Sequence, residues 1–131
     1  MIFRFYKRSN SNKRTKEQKK ILKDAKKIIL PRVSYYADLM GLEYNRVSIR
    51  LQKTRWGSCS TLKNLNFNAL LILMPEDVMD SVIVHELSHL KYMNHQKEFW
   101  EFVYKYFPES KYKKCRKYLN NEGKITMKKY L

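Results

Sequence analysis

From Ile21 to Met40 the apolar residues Ile21, Leu22, Ala25, Ile28, Ile29, Val33, Tyr36, Ala37 and Met40 recur at three- and four-residue steps, with lysines between them. That is the period of an amphipathic helix with one buried stripe. Thr15 or Asn12 suits its N-cap and Gly41 its stop, while Pro31 predicts a kink or a division. After Gly41 the period falls to two: Val47, Ile49 and Leu51 alternate with Ser48, Arg50 and Gln52, predicting a strand over 46–53. Residues 54–64 read as a loop around Trp56-Gly57-Ser58-Cys59-Ser60. A second strand is expected within 65–73, from Leu65, Phe67 and Ala69 set against Asn64, Asn66 and Asn68. Pro75, followed by Glu76 and Asp77, marks a helix start on steric and dipole grounds. Val78, Val82, Ile83, Leu87 and Leu90 carry that helix to about Tyr92–Asn94. Asn94 suits a turn or an N-cap, Phe99, Trp100, Val103 and Phe107 mark a further helix ending at Pro108, and a last basic helix covers about 109–120. The pattern describes an α+β fold: one domain over 15–131, with a small antiparallel or mixed sheet, a long N-terminal helix and C-terminal helices, behind a basic lead-in at 1–14.

At 131 residues the chain holds one modest core. Its 28 Lys and Arg against 12 Asp and Glu give a formal charge of +16, a field that attracts nucleic acid, anionic surfaces or acidic substrates. No base-reading motif accompanies it, so the charge suggests a partner without naming one. Cys59 and Cys115 are too few for a disulfide framework and lack C-x-x-C spacing, which favours a reduced, cytoplasmic setting. The N-terminus has basic residues where a leader would be apolar, and the longest apolar run is only Ala69 to Met74. No signal peptide and no membrane span are expected.

The chemistry concentrates at His85-Glu86-Leu87-Ser88-His89, followed by His95. On a helix, positions four apart share a face, so His85 and His89 can present two imidazoles to one ion with Glu86 beside them. Catalytic zinc sites use three protein ligands and keep a fourth position for water, and His95 completes that count. Neutral ligands leave the dication's charge uncompensated, so a water there is acidified from about 15.7 toward roughly 7, and Glu86 can take its proton. The step from His89 to His95 equals that to the third ligand in H-E-x-x-H-x-x-G-x-x-H, but Tyr92 stands where that motif has glycine. This argues against a true metzincin and moves the turn elsewhere, Asn94 being one place for it.

Further residues carry a resemblance. Arg55-Trp56-Gly57-Ser58-Cys59-Ser60, Leu65-Asn66-Phe67-Asn68, Pro75, Val84 to Leu90, Asn94-His95 and Phe99-Trp100, in that order, resemble the YgjP-like metallopeptidases, relatives of the SprT-like zinc peptidases. The resemblance covers about 16–120. It implies a zincin-like α+β domain with its small sheet beside the active helix, His85, His89 and His95 as zinc ligands, Glu86 as catalytic base, and protein or peptide as substrate. Gln96 departs from the small residue that often follows the third histidine.

Cys59 reads as a buried, inert thiol rather than a nucleophile or fourth ligand. Trp56 and Gly57 read as turn and packing residues, and Phe99, Trp100 and Phe107 as core. Arg55 and Tyr92 have the chemistry to steady an oxyanion, but nothing in the sequence fixes their distance from the histidines. The expected activity is Glu-assisted peptide hydrolysis at zinc, with the peptide adding as a strand near Asn64–Asn68. A basic nucleic-acid-associated module with a structural zinc is the alternative. A metal-dependent nucleoside triphosphate pyrophosphatase ranks lower, since no G-x-x-x-x-G-K pattern occurs.

Overall fold

The computed structural model describes residues 13–131, so most of the expected lead-in at 1–14 lies outside the described residues. Helix α1, Lys16–Met40, opens with a capping box in which Thr15 Oγ1 accepts from the Gln18 N–H at 3.0 Å and Gln18 Oε1 accepts from the Thr15 N–H at 3.1 Å. It ends at Gly41, whose φ of 69° lets its N–H reach the carbonyls of Ala37 and Asp38. Pro31 does not divide it. Pro31 and Lys27 both lie on the exposed face, so the carbonyl that loses its partner to proline is open to water. The buried stripe is Ile21, Ala25, Ile29, Val33, Ala37 and Met40.

Strands β1 (Arg46–Arg50), β2 (Gly57–Cys59) and β3 (Asn64–Asn68) form a mixed sheet in the order β1-β3-β2. β3 runs parallel to β1, with Val47 opposite Leu65, and antiparallel to β2, with Gly57 opposite Phe67. This corrects two expectations. The strand over 46–53 stops at Arg50, and Asn64–Asn68 is the central strand, leaving no edge there for a peptide to join. The free edge near the histidines belongs to β2, inside the segment expected to be a loop.

The second strand also ends early, at Asn68, and Ala69–Leu73 turn into a 3-10 helix. Asn68 causes the switch: its Oδ1 accepts from the Leu70 N–H at 3.0 Å, capturing a backbone donor that a strand would have offered to its neighbour. Its Nδ2 donates to the carbonyls of Gln52 and Arg55, at 2.9 and 2.8 Å, and so fastens the loop before β2. Ala69, Leu70 and Leu71 are buried at consecutive positions, which a strand with one solvent face could not achieve.

Helix α2, Glu76–Ser88, runs through the middle of the molecule and is buried at every position from Val78 to Ser88. It packs against α1, the sheet, α3 (Lys97–Tyr106) and α4 (Glu109–Tyr118). Arg32 of α1 grips Asp80 of α2 through two hydrogen bonds of 2.7 Å, and the Tyr36 hydroxyl donates to the same carboxylate at 3.0 Å. Beyond α4 the chain continues where no further element was expected. A π turn, Leu119–Gly123, leads into α5, Lys124–Tyr130, and the carbonyl of Tyr130 accepts from Gln18 Nε2 at 2.7 Å. Among the described residues no helix is long and apolar enough to cross a membrane.

Candidate metal centre

Helix α2 stops at Ser88, earlier than the apolar pattern suggests, and His89 is its C-cap. The chain then turns tightly, the N–H groups of Lys91 and Tyr92 both reaching the Ser88 carbonyl at 3.1 and 3.0 Å. This turn does the work for which the metzincin motif uses glycine. It swings His95 back over the helix end, where His95 Nε2 lies 3.1 Å from His89 Nε2 and 3.2 Å from His85 Nε2.

The outer nitrogens are held as well. His89 Nδ1 lies 3.0 Å from the Tyr92 carbonyl. A carbonyl only accepts, so Nδ1 carries the hydrogen and the Nε2 lone pair of the neutral ring is free. His85 Nδ1 lies 2.9 Å from the Tyr112 hydroxyl oxygen, which also accepts from Arg116 Nη2 at 2.7 Å. The two lone pairs of the phenol oxygen can serve both donors, and in the tautomer with the hydrogen on Nδ1 the Nε2 lone pair of His85 is free in the same sense. Burial, with the neighbouring histidines and Arg116, pushes His85 down to about 3, and burial also lowers His89, so both rings are neutral near pH 7.

Phe99 stacks on His89, with ring centroids 4.4 Å apart and planes at 25°, and Trp100 stacks on His95 at 5.7 Å and 23°. Phe99 and Phe107 are core, as expected. Trp100 is a correction: it is half-buried and braces the exposed third histidine. Tyr112 and Arg116 went unrecognised in the sequence. Their only signal was a four-residue spacing on a helix that reads as merely basic.

Three imidazole nitrogens meet within 4.8 Å of one another, and among the described residues His85, His89 and His95 are the one such group of metal-ligating side chains. The 3.1 and 3.2 Å separations approach the edge of roughly 3.3–3.4 Å expected of a tetrahedron with Zn–N bonds of about 2.0–2.1 Å. The donor set therefore fits a zinc-like dication. Cys59 is outside the group; its thiol contacts the Ser60 carbonyl at 3.6 Å and is pushed up to about 11 by burial and by the charge of Glu86.

Glu86 is buried beside the triad, and among the described residues it has no hydrogen-bonding or ionic partner. Burial pushes its carboxyl up to about 7, against the pull of Arg116 and Arg55. It lines a cleft of about 780 Å³ together with the three histidines, β2, and parts of α4, the π turn and α5. Gly57 lets β2 come this close: a Cβ there would lie 2.9 Å from Glu86 Cγ and 3.2 Å from Val82 Cγ1. Gly57 is thus part of the wall beside Glu86 rather than a turn residue. Arg55 lies on the rim of the same cleft, whereas Tyr92 offers the site its carbonyl and not its phenol.

The fold is shared with two solved metallopeptidase zymogens. Abylysin from Pyrococcus abyssi is 24% identical, with 72% of this chain and 96% of that chain covered at a TM-score of 0.63. Jannalysin from Methanocaldococcus jannaschii is 22% identical, with 72% and 95% covered at a TM-score of 0.65. No curated protein matches significantly. The profile of the YgjP-like metallopeptidase domain matches residues 3–122, a range that contains the whole triad, Glu86 and β2. The chain belongs to the YgjP-like metallopeptidase-domain family.

Proposed function

We propose that the chain is a zinc peptidase in which His85, His89 and His95 hold the metal and Glu86 is the general base. The observation that carries this reading is the convergence of three imidazole nitrogens beside an unpaired, buried carboxylate in an open cleft. Zinc, when bound, supplies Lewis-acid polarisation of the scissile carbonyl and acidifies water. Glu86 takes the proton of the attacking water and returns it to the departing amine. Tyr112 and the Tyr92 carbonyl fix the His85 and His89 rings so that their lone pairs face inward. The peptide lies extended along the free edge of β2, whose N–H and C=O groups on that side await a partner.

Zinc content and peptide hydrolysis are measured on the same preparations of wild type and Glu86→Gln. The variant is expected to retain zinc and to lose hydrolysis by a factor of at least about 10². Full activity in zinc-loaded Glu86→Gln would exclude Glu86 as the base.

A second reading concerns where the enzyme works. Lys13 and Arg14, with Lys19, Lys23, Lys26 and Lys27 of α1, line a groove of about 660 Å³ that shares no residue with the cleft. We infer a nucleic-acid contact there, alongside catalysis. DNA binding that weakens steeply with salt is expected, and absence of binding at low salt would remove it.

A further inference from the structure

The cleft is lined by five cationic side chains, Lys53, Arg55, Arg116, Lys124 and Lys128, against one carboxylate, Glu86. The chain as a whole has 28 Lys and Arg to 12 Asp and Glu, so the lining is about twice as one-sided as the composition. None of the five takes part in an ion pair among the described residues; those pairs involve Lys20, Arg32, Lys111 and Lys113. Arg116 donates to the neutral hydroxyl of Tyr112 rather than to a carboxylate.

The cations stand on different walls. Lys53 and Arg55 precede β2, and Asn68 pins that loop by bonding the Arg55 and Gln52 carbonyls. Lys124 and Lys128 sit one turn apart on α5, where two like charges at that spacing repel each other. α5 is held at both ends: Gly123 packs on Trp56 at its start, and the Tyr130 carbonyl bonds Gln18 at its finish. It lies after residues 3–122, which the family profile matches. A low-dielectric cleft lined by charge of one sign concentrates ligands of the other.

We propose that the cleft selects acidic peptides, binding Asp or Glu side chains on either side of the bond to be cut through Lys124 and Lys128 on one wall and Lys53 and Arg55 on the other. This rests on the peptidase reading and names its substrate class.

The test measures binding in zinc-loaded, full-length Glu86→Gln protein, which separates recognition from cleavage. Fluorescent peptides of one sequence are compared with Asp and Glu present or replaced by Asn and Gln. The acidic peptide is expected to bind roughly tenfold tighter at low salt, the worth of two or three exposed ion pairs, and the advantage should shrink as salt rises. Adding Lys124→Glu and Lys128→Glu should abolish or reverse the preference, and Lys124→Gln with Lys128→Gln should reduce it. Both positions are exposed on a helix, so the substitutions leave the fold in place. Lys19→Glu with Lys23→Glu, on α1, should leave the preference unchanged. Equal binding of the two peptides would overturn the proposal. So would a preference that survives the α5 changes but disappears with the α1 pair, or an oligonucleotide that fills the cleft where acidic peptides do not. If acidic peptides bind but wild type cleaves no peptide, the peptidase reading fails and the preference of the basic cleft for acidic ligands stands. If wild type cleaves neutral peptides as readily as acidic ones and binds both equally, the reverse holds.

Discussion

Tyr112 shows how a single contact tunes the site. Its hydroxyl hydrogen-bonds His85 Nδ1 and accepts from Arg116 Nη2, so the ring that turns Nε2 toward the other two histidines is steadied from α4, 27 residues away. Tyr112→Phe keeps the shape and removes the acceptor; zinc affinity, measured by competition with a chelator, should fall on the order of tenfold with an unchanged far-ultraviolet spectrum. An unchanged affinity would show that His85 needs no such partner. Glu86 gives a second test, read in the metal-free protein. Its carboxyl is raised from 4.5 to about 7, so the folded state binds a proton that the unfolded state releases between those values. The cost of burying the charge is therefore fully present above pH 7 and is relieved as pH falls toward 4.5. Glu86→Gln has no such charge and should be more stable than wild type at pH 8, by on the order of 3 kcal/mol, with the two converging near pH 4.5. The depressed histidines are common to both proteins and cancel in the difference. Urea unfolding at several pH values reads it, and parallel pH curves would contradict the buried charge.

Elements explain which parts of the sequence could be read and which could not. The α1 stripe was legible because one face of a long helix repeats the same burial five or six times. His85 and His89 were legible for the same reason, since a four-residue step on a helix fixes their geometry locally. The three residues of β2 were not, because Gly57-Ser58-Cys59 is too short to show alternation and exists as a strand only through its pairing with β3. Ala69–Leu73 misled because an apolar run carries no period; the Asn68 side chain decided the backbone. The mutual placement of α1 and α2 depends on Asp80, which no local pattern marks. Only 6% of Asp80 is exposed, and it accepts three hydrogen bonds from Arg32 and Tyr36. Asp80→Asn removes the charge and one acceptor while Arg32 stays partly solvated, so a loss of about 2 kcal/mol is expected, below the range for a fully buried pair. Glu76, whose side chain is 72% exposed, meets the same arginine at 2.9 Å, yet Glu76→Gln should cost less than about 0.5 kcal/mol. Equal losses in denaturant unfolding would mean that burial does not separate the two pairs.

Across the whole molecule, most of the core lies outside the short segment that carries the candidate metal site, which fixes how the protein responds to chelation. The three histidines lie within eleven residues, His85 to His95, so an ion held by them would close only a short loop at the end of α2. The core reaches the triad through Phe99 but extends far beyond it, across α1, the 3-10 helix, β3 and α2, with Ala25, Ile29, Val33, Phe67, Leu70 and Ile83 fully buried. A small metal-folded domain has no such core and unfolds without its ion. Here the apolar burial is independent of the ion, so chelated protein should remain folded with its helical spectrum intact. On the proposed assignment, zinc binding to the native state adds RT ln(1 + [Zn]/Kd), about 2.7 kcal/mol at a hundredfold excess over Kd. The midpoint of thermal unfolding should thus rise by several degrees with zinc and fall back on chelation, without loss of cooperativity. In Glu86→Gln the rise should be smaller than in wild type, because a dication beside the triad also compensates the buried carboxylate that the variant lacks. A calorimetric series on both proteins, with and without zinc, reads the two effects together. Unfolding of the chelated wild type at room temperature would assign the metal a structural role and return the site to the class of closed, folding-coupled centres.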